Sequence, residues 1–160
     1  MTSVVVIHVG DYKESYFREA EAEYRKRLSK YCTYKTVCIP EERIADENNA
    51  SQIKKALEKE AEKIRAAVPA HHTKIALCVE GKQLTSPELA AHIADVQSRG
   101  YSEIILIIGG AEGMDERIKA ECDLRLSFSK MTFPHPLMRV ILLEQLYRAL
   151  NINSNGNYHK

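Results

Sequence analysis

The stretch that most constrains this 160-residue chain runs from Leu126 to Leu150. Leu126 to Phe133 is short, apolar and rich in hydroxyls; Pro134-His135-Pro136 stops it; an apolar helix is expected from about Leu137 to Leu150. Proline suits the first turn of a helix, where its missing N–H would have no partner anyway. It also biases the residue before it, here Phe133, away from the helical region. Phe128–Phe133 therefore reads as extended or looped backbone held against a helix start, with N–H and C=O groups free to read a small ligand. The helix itself is apolar well beyond one stripe: Leu137, Met138, Val140, Ile141, Leu142, Leu143, Leu146, Tyr147, Leu150 and Ile152 leave only Arg139, Glu144, Gln145 and Arg148 polar. Such a helix is buried on more than one side. In a chain this small, a second copy of the chain is a natural second cover. The plainer alternative is a core helix whose arginines snorkel to solvent.

The rest of the chain alternates strand and helix. Val4–Ile7 is a β-branched run ending at Gly10-Asp11. A helix from about Lys13 to Lys30 follows, with Phe17, Ala20, Tyr24, Leu28 and Tyr31 inward and Arg18, Arg25, Lys26, Arg27 and Lys30 outward. That outer face is the most basic stretch; it is either a solvated face or a phosphate-contacting surface. Thr33–Ile39 reads as a strand, Glu41–Asn49 as an acidic, mobile loop, and Ser51–Val68 as a helix ended by Pro69. Lys74–Glu80 is the next strand. Ser86 caps a helix with Pro87 at its first position, and Gly100 ends it. Glu103–Ile108, a short helix over Asp115–Glu121 and a strand over Leu124–Leu126 complete the order. Alternation of this kind predicts a single α/β domain over 1–160, with a mainly parallel sheet and helices on both faces.

Ligands of open α/β sheets collect at the carboxyl ends of strands. Leu77, Gly109 and Phe128–Phe133 all fall at or beyond such ends, and together they could sandwich a flat apolar group such as adenine. The turn Gly109-Gly110-Ala111-Glu112-Gly113 lets backbone approach a ligand closely. It is not G-x-G-x-x-G, and no acidic ribose partner follows about 20 residues on. No catalytic triad is assignable: Ser127 and Ser129 lack a glycine elbow. His71-His72 reads as a loop rather than a metal site. His135, at a helix start, and His159, in a polar tail, are the histidines placed for chemistry. Cys32, Cys38, Cys78 and Cys122 show no metal-like spacing and read as buried thiols of a reducing compartment. A net charge of +1 excludes a basic coat, so any nucleic acid must be met by a local patch. No secretion signal and no membrane-length apolar run is present, which predicts a cytoplasmic protein.

Phe128-Ser-Lys-Met-Thr-Phe-Pro-His-Pro-Leu-Met-Arg139, Glu144-Gln-Leu-Tyr-Arg-Ala149, the Ile108–Gly113 turn and the terminal Tyr158-His159-Lys160 resemble the SPOUT-class pseudouridine N3-methyltransferases of large-subunit ribosomal RNA. The resemblance spans the full length, in size and element order. It implies a C-terminal trefoil knot, a rare exception to unknotted topology, and a homodimer. It implies S-adenosylmethionine bound at Leu77, Gly109, Phe128, Ser129, Lys130, Met131, Thr132 and Phe133, with no metal. The substrate would be a pseudouridine of 23S rRNA, methylated at N3 in the assembled ribosome. Deprotonating N3 needs a base or a stabilised anion, for which His135, Tyr158 and His159 are candidates, with Arg139 to neutralise charge or hold a phosphate. On residues alone, a dinucleotide-binding oxidoreductase and a non-catalytic ribosome-binding module stay open.

Overall fold

The computed structural model describes residues 1–68 and 72–160; Pro69 and His71, each given a role above, lie outside the described residues. The elements are β1 (Thr2–Val9), α1 (Ser15–Leu28), β2 (Cys32–Ile39), α2 (Ala50–Ala67), β3 (Thr73–Gln83), α3 (Ser86–Ser98), β4 (Glu103–Ile108), α4 (Glu116–Ala120), β5 (Leu124–Ser127) and α5 (His135–Asn153). The five strands form one sheet in the order β2-β1-β4-β3-β5, and every pairing is parallel. The mainly parallel α/β sheet expected from the sequence is therefore present, and β4 is its buried middle: Ile104 to Ile108 are all buried. Strands covered on both faces read as unbroken apolar runs, as this one does.

Alternate residues along the strands feed two cores. On one face Val4, Val6, Ile104 and Leu106 meet α3 through Ile93 and α5 through Leu142, Leu143 and Leu146. On the other, Ile7, Ile105 and Ile107 meet Ile64 of α2 and Ile118 of α4. Much of the apolar circumference of α5 is thus satisfied within the chain, by the sheet on one side and by α1 and α3 on its flanks. Leu137, Val140 and Ile141 remain only half-buried. No helix among the described residues is long and apolar enough to cross a membrane.

Several boundaries differ from the sequence reading for identifiable reasons. α3 is capped by Thr85, not Ser86: the Thr85 hydroxyl accepts from the Glu88 N–H and Glu88 accepts from the Thr85 N–H, a reciprocal capping box. That frees the Ser86 hydroxyl to donate to Gln145 Oε1 of α5, 2.6 Å away. α5 begins at His135 instead of Leu137, with Pro134 as its cap, so Pro136 occupies the first turn where its missing N–H costs nothing. β3 runs on to Gln83 through an irregularity between Leu77 and Lys82. Tyr31 lies past the end of α1, and the acidic 41–49 loop is tied down at Glu42, whose N–H donates to Glu60 Oε2 at 2.9 Å and whose carboxylate pairs with Lys63.

Leu143 is fully buried at the seam of α5 and the sheet. Leu143→Ala should lower the unfolding free energy by about 2–5 kcal/mol, while Thr85→Ala should cost about 1 kcal/mol. Urea unfolding followed by circular dichroism reads both.

Candidate functional site

The register of the sheet brings three strand ends to one level. His8 of β1 is opposite Ile108 of β4, and Ile108 is opposite Leu77 of β3. Beyond this level each chain segment turns away, leaving a cavity of about 600 Å³, well within the range of small-molecule sites. Leu77, Ile108, Met114 and Met138 supply apolar walls. The glycine turn Gly109, Gly110 and Gly113 forms one side, and Phe128, Ser129, Met131, Thr132 and Phe133 form another. Glu80, Lys119 and His135 are the titratable side chains on its lining apart from the Cys78 thiol. Lys119 is paired with Glu80 and, at 3.3 Å, with Glu116. Burial lowers the Lys119 pKa, but those carboxylates outweigh it and leave the pKa raised, while the Lys119 contact holds Glu80 below the usual carboxylate range.

Local chemistry explains the shape of each wall. A methyl group on Gly109 would lie 2.7 Å from the carbonyl carbon of Gly113, so the turn closes on itself only because that position lacks a side chain. Gly113 has φ +88°, a conformation glycine adopts without strain. The 128–133 loop is braced by its own hydroxyls: Ser127 Oγ donates to the Ser129 carbonyl at 2.9 Å, and Ser129 Oγ accepts from the Met131 N–H at 3.0 Å. At the β3 irregularity, Gly81 approaches the β5 backbone so closely that a methyl there would be 2.8 Å from the carbonyl carbons of Arg125 and Leu126.

Of the cofactor residues expected from the sequence, Leu77, Gly109, Phe128, Ser129, Met131, Thr132 and Phe133 line the cavity; Lys130 does not. His135 lines both the cavity and a small neighbouring crevice, and Arg139, one turn along α5, lines the crevice. Arg139 is only 6% exposed. Its Nη2 lies 2.6 Å from Glu21 Oε2 and its Nη1 3.2 Å from Asp11 Oδ1. Its guanidinium sits 4.0 Å over the Tyr12 ring. Burial works against the Arg139 charge, but Glu21 outweighs it and the pKa is raised. Beside it, His8 Nδ1 is 2.6 Å from the Gly10 carbonyl, which requires a proton on that nitrogen; burial lowers the His8 pKa, so the ring is held neutral. Glu21, Tyr12 and His8 were invisible as site residues in the sequence, because nothing local marks a mid-helix glutamate or a strand histidine as facing an arginine more than a hundred residues away.

Tyr158 and His159 are placed elsewhere. The Tyr158 hydroxyl donates to Glu144 at 3.1 Å, its ring packs on Tyr147 with centroids 4.8 Å apart, and Arg148 lies over it. Arg148 Nη1 is 3.2 Å from His159 Nδ1. The tail, whose Asn- and Gly-rich composition reads as mobile unless tied down, is thus tied to its own α5. Neither residue lines the cavity of the same chain. The described residues contain no grouping of His, Cys, Asp and Glu suited to a metal ion.

A parallel sheet with a cavity at three strand ends, walled by a glycine turn and by a loop entering the last helix, has the shape and size of a small-molecule site. The family model described as "Predicted SPOUT methyltransferase" matches residues 2–159, and the chain belongs to that family. Among its curated relatives, ribosomal RNA large subunit methyltransferase H of Bifidobacterium adolescentis is 48% identical over 157 residues, covering 98% of this chain and 99% of the relative. The protein of the same name from Clostridioides difficile is 40% identical over 158 residues, with 99% of each covered. In fold alone, the chain resembles the structure of a "probable methylase family protein" from Haemophilus influenzae, with a TM-score of 0.61 at 13% identity over 99% of this chain and 71% of the other.

The collision at Gly109 means that a side chain there breaks the turn itself before it meets any ligand. Gly109→Ala should therefore destabilise the unliganded protein by about 1–3 kcal/mol, as for other overpacked sites. Denaturant unfolding without added ligand measures this; an unchanged midpoint would place the collision elsewhere.

Proposed function

We propose that this chain transfers a methyl group from S-adenosylmethionine to N3 of a pseudouridine in large-subunit ribosomal RNA, acting in the cytoplasm as a homodimer on the assembled ribosome. The observation that carries this reading is the convergence at one cavity of Leu77, the Gly109 turn and the 128–133 loop, with His135 bridging the cavity to the Arg139 crevice. The names of the relatives support the RNA substrate.

The cavity suits the cofactor: apolar walls for a flat base, a loop wall whose backbone can read its edge, and a polar end at Glu80 and Lys119. When bound, S-adenosylmethionine supplies an already activated methyl group. What remains for the chain is to align the accepting nitrogen and to manage its proton. Arg139 lies beside His135 at the crevice and stabilises the anionic base. His135 is the group on the cavity lining placed to move a proton. Tyr158 and His159, anchored away from their own cavity, serve on this reading at the cavity of the second protomer. The half-buried Leu137, Val140 and Ile141 form part of the subunit contact. The approach of Gly81 to the β5 backbone and the return of the chain through 128–134 into α5 support a C-terminal trefoil knot.

Methyl transfer from labelled S-adenosylmethionine to ribosomes lacking the modification tests the reading, with nucleoside analysis expected to show N3-methylated pseudouridine. No transfer, or transfer to another atom, rejects it. Sedimentation should give about twice the 18.2 kDa chain mass. Deleting residues 157–160 should leave cofactor affinity within a few-fold of wild type and cut turnover by roughly 100-fold or more, the low end of acid–base contributions. Loss of both would put the tail over the cofactor.

A further inference from the structure

The least satisfied polar cluster among the described residues lies beside the cavity. Tyr12 Oη, Glu21 Oε2 and Arg139 Nε are all buried without a hydrogen-bond partner, although buried polar groups normally find one. The three belong to one contact set. Glu21 is 5% exposed, Tyr12 4% and Arg139 6%. The Glu21–Arg139 contact of 2.6 Å is an ion pair between two enclosed groups, while Glu21 Oε1 accepts from Arg25 Nη2 at 3.0 Å. Glu21 thus faces a surface arginine with one oxygen and the buried one with the other. The charge of Arg139 is compensated from two sides of unlike character: Glu21 is enclosed, whereas the Asp11 side chain is 59% exposed.

We propose that Glu21 is a positioning residue: it holds the Nη2 edge of Arg139 against α1 and so aims Nη1 into the crevice beside Gly109 and His135. Asp11 is then the exchangeable partner of Nη1, replaced by the anionic base or a phosphate of the RNA. Three features carry this. An enclosed carboxylate cannot be traded for a ligand, whereas an exposed one can. The Tyr12 ring, 4.0 Å below the guanidinium, blocks rotation of its plane. His8 Nδ1, 3.2 Å from Nη1, is occupied by the Gly10 carbonyl and offers no competing acceptor. Arg139 cannot be oriented by α5 alone, because a guanidinium on a long side chain has many rotamers and only a fixed partner selects one. The inference rests on the role proposed above for Arg139.

The test uses the dimeric protein with Glu21→Gln, Glu21→Asp, Arg139→Met and the Glu21→Gln/Arg139→Met double variant. Cofactor binding by calorimetry counts folded sites, and turnover on ribosomes is expressed per folded site across pH. Glu21→Gln should keep cofactor affinity within about twofold and lose at least roughly tenfold in turnover at neutral pH, since about 1 Å of misplacement costs up to 100-fold. The deficit should shrink as pH rises through the ionisation of the target N–H, and Glu21→Asp should recover part of it. In the Arg139→Met background, Glu21→Gln should change turnover less than about twofold. An equal loss in that background, a deficit constant with pH, or unchanged turnover overturns the proposal. Side-chain NMR gives a readout independent of methyl transfer: the Arg139 Nη protons should be resolved in wild type and averaged in Glu21→Gln. If the wild type transfers no methyl while the NMR behaves so, the functional reading fails and the positioning stands; resolved signals in Glu21→Gln sink the positioning.

Discussion

The packing of α5 between the sheet, α1 and α3 is the constraint on which the rest of the molecule depends. Leu142, Leu143 and Leu146 are buried there with almost no accessible surface, and full burial of each such side chain contributes about 1.5–3 kcal/mol. Because α5 is fixed, its first turn is fixed, and with it Pro134, His135 and the loop that precedes them. A loop of six residues with no regular structure of its own is thereby held at both ends, by β5 and by α5. This wall of the cavity is therefore tethered at both ends and braced by its own hydroxyls, although it is a loop.

The same packing sets two polar side chains one helix turn apart on one face of α5. His135 reaches the cavity, and Arg139, four residues on, lies on the same side of α5 at the crevice. The buried ion pair with Glu21 adds little to net stability, since desolvation of two charges offsets their attraction. Its worth is directional, as it selects one guanidinium orientation beside the cavity.

The sequence carried most of the architecture because its periodicities were clean. The Ile104–Ile108 run is the buried middle strand, the glycine turn follows it, and the proline punctuation precedes α5, which starts two residues before the expected Leu137. The cavity residues were legible for the same reason, since strand ends in a parallel sheet converge by topology. Failures cluster where a side chain from far along the chain decides the outcome. Thr85 displaced Ser86 as cap because Glu88 reciprocates. Glu21 carries no local mark in the sequence, yet it faces Arg139 across 118 residues. The Asn- and Gly-rich tail reads as mobile unless tied down, and here Asn151 Oδ1 accepts from the Tyr158 N–H at 3.1 Å and Glu144 takes the Tyr158 hydroxyl.

That anchorage bears on how readily the tail can leave. Glu144 also accepts from Tyr24 Oη at 2.6 Å and from Arg148 Nη2 at 2.7 Å. Lifting Tyr158 away removes one hydroxyl from a carboxylate that keeps a neutral donor and a cation. No charge is stranded, and the Arg148 guanidinium keeps its acid. The terminus is thus fastened like a press-stud, definite in position when closed, and its opening costs α5 one accepted bond at Asn151 while Glu144 stays satisfied.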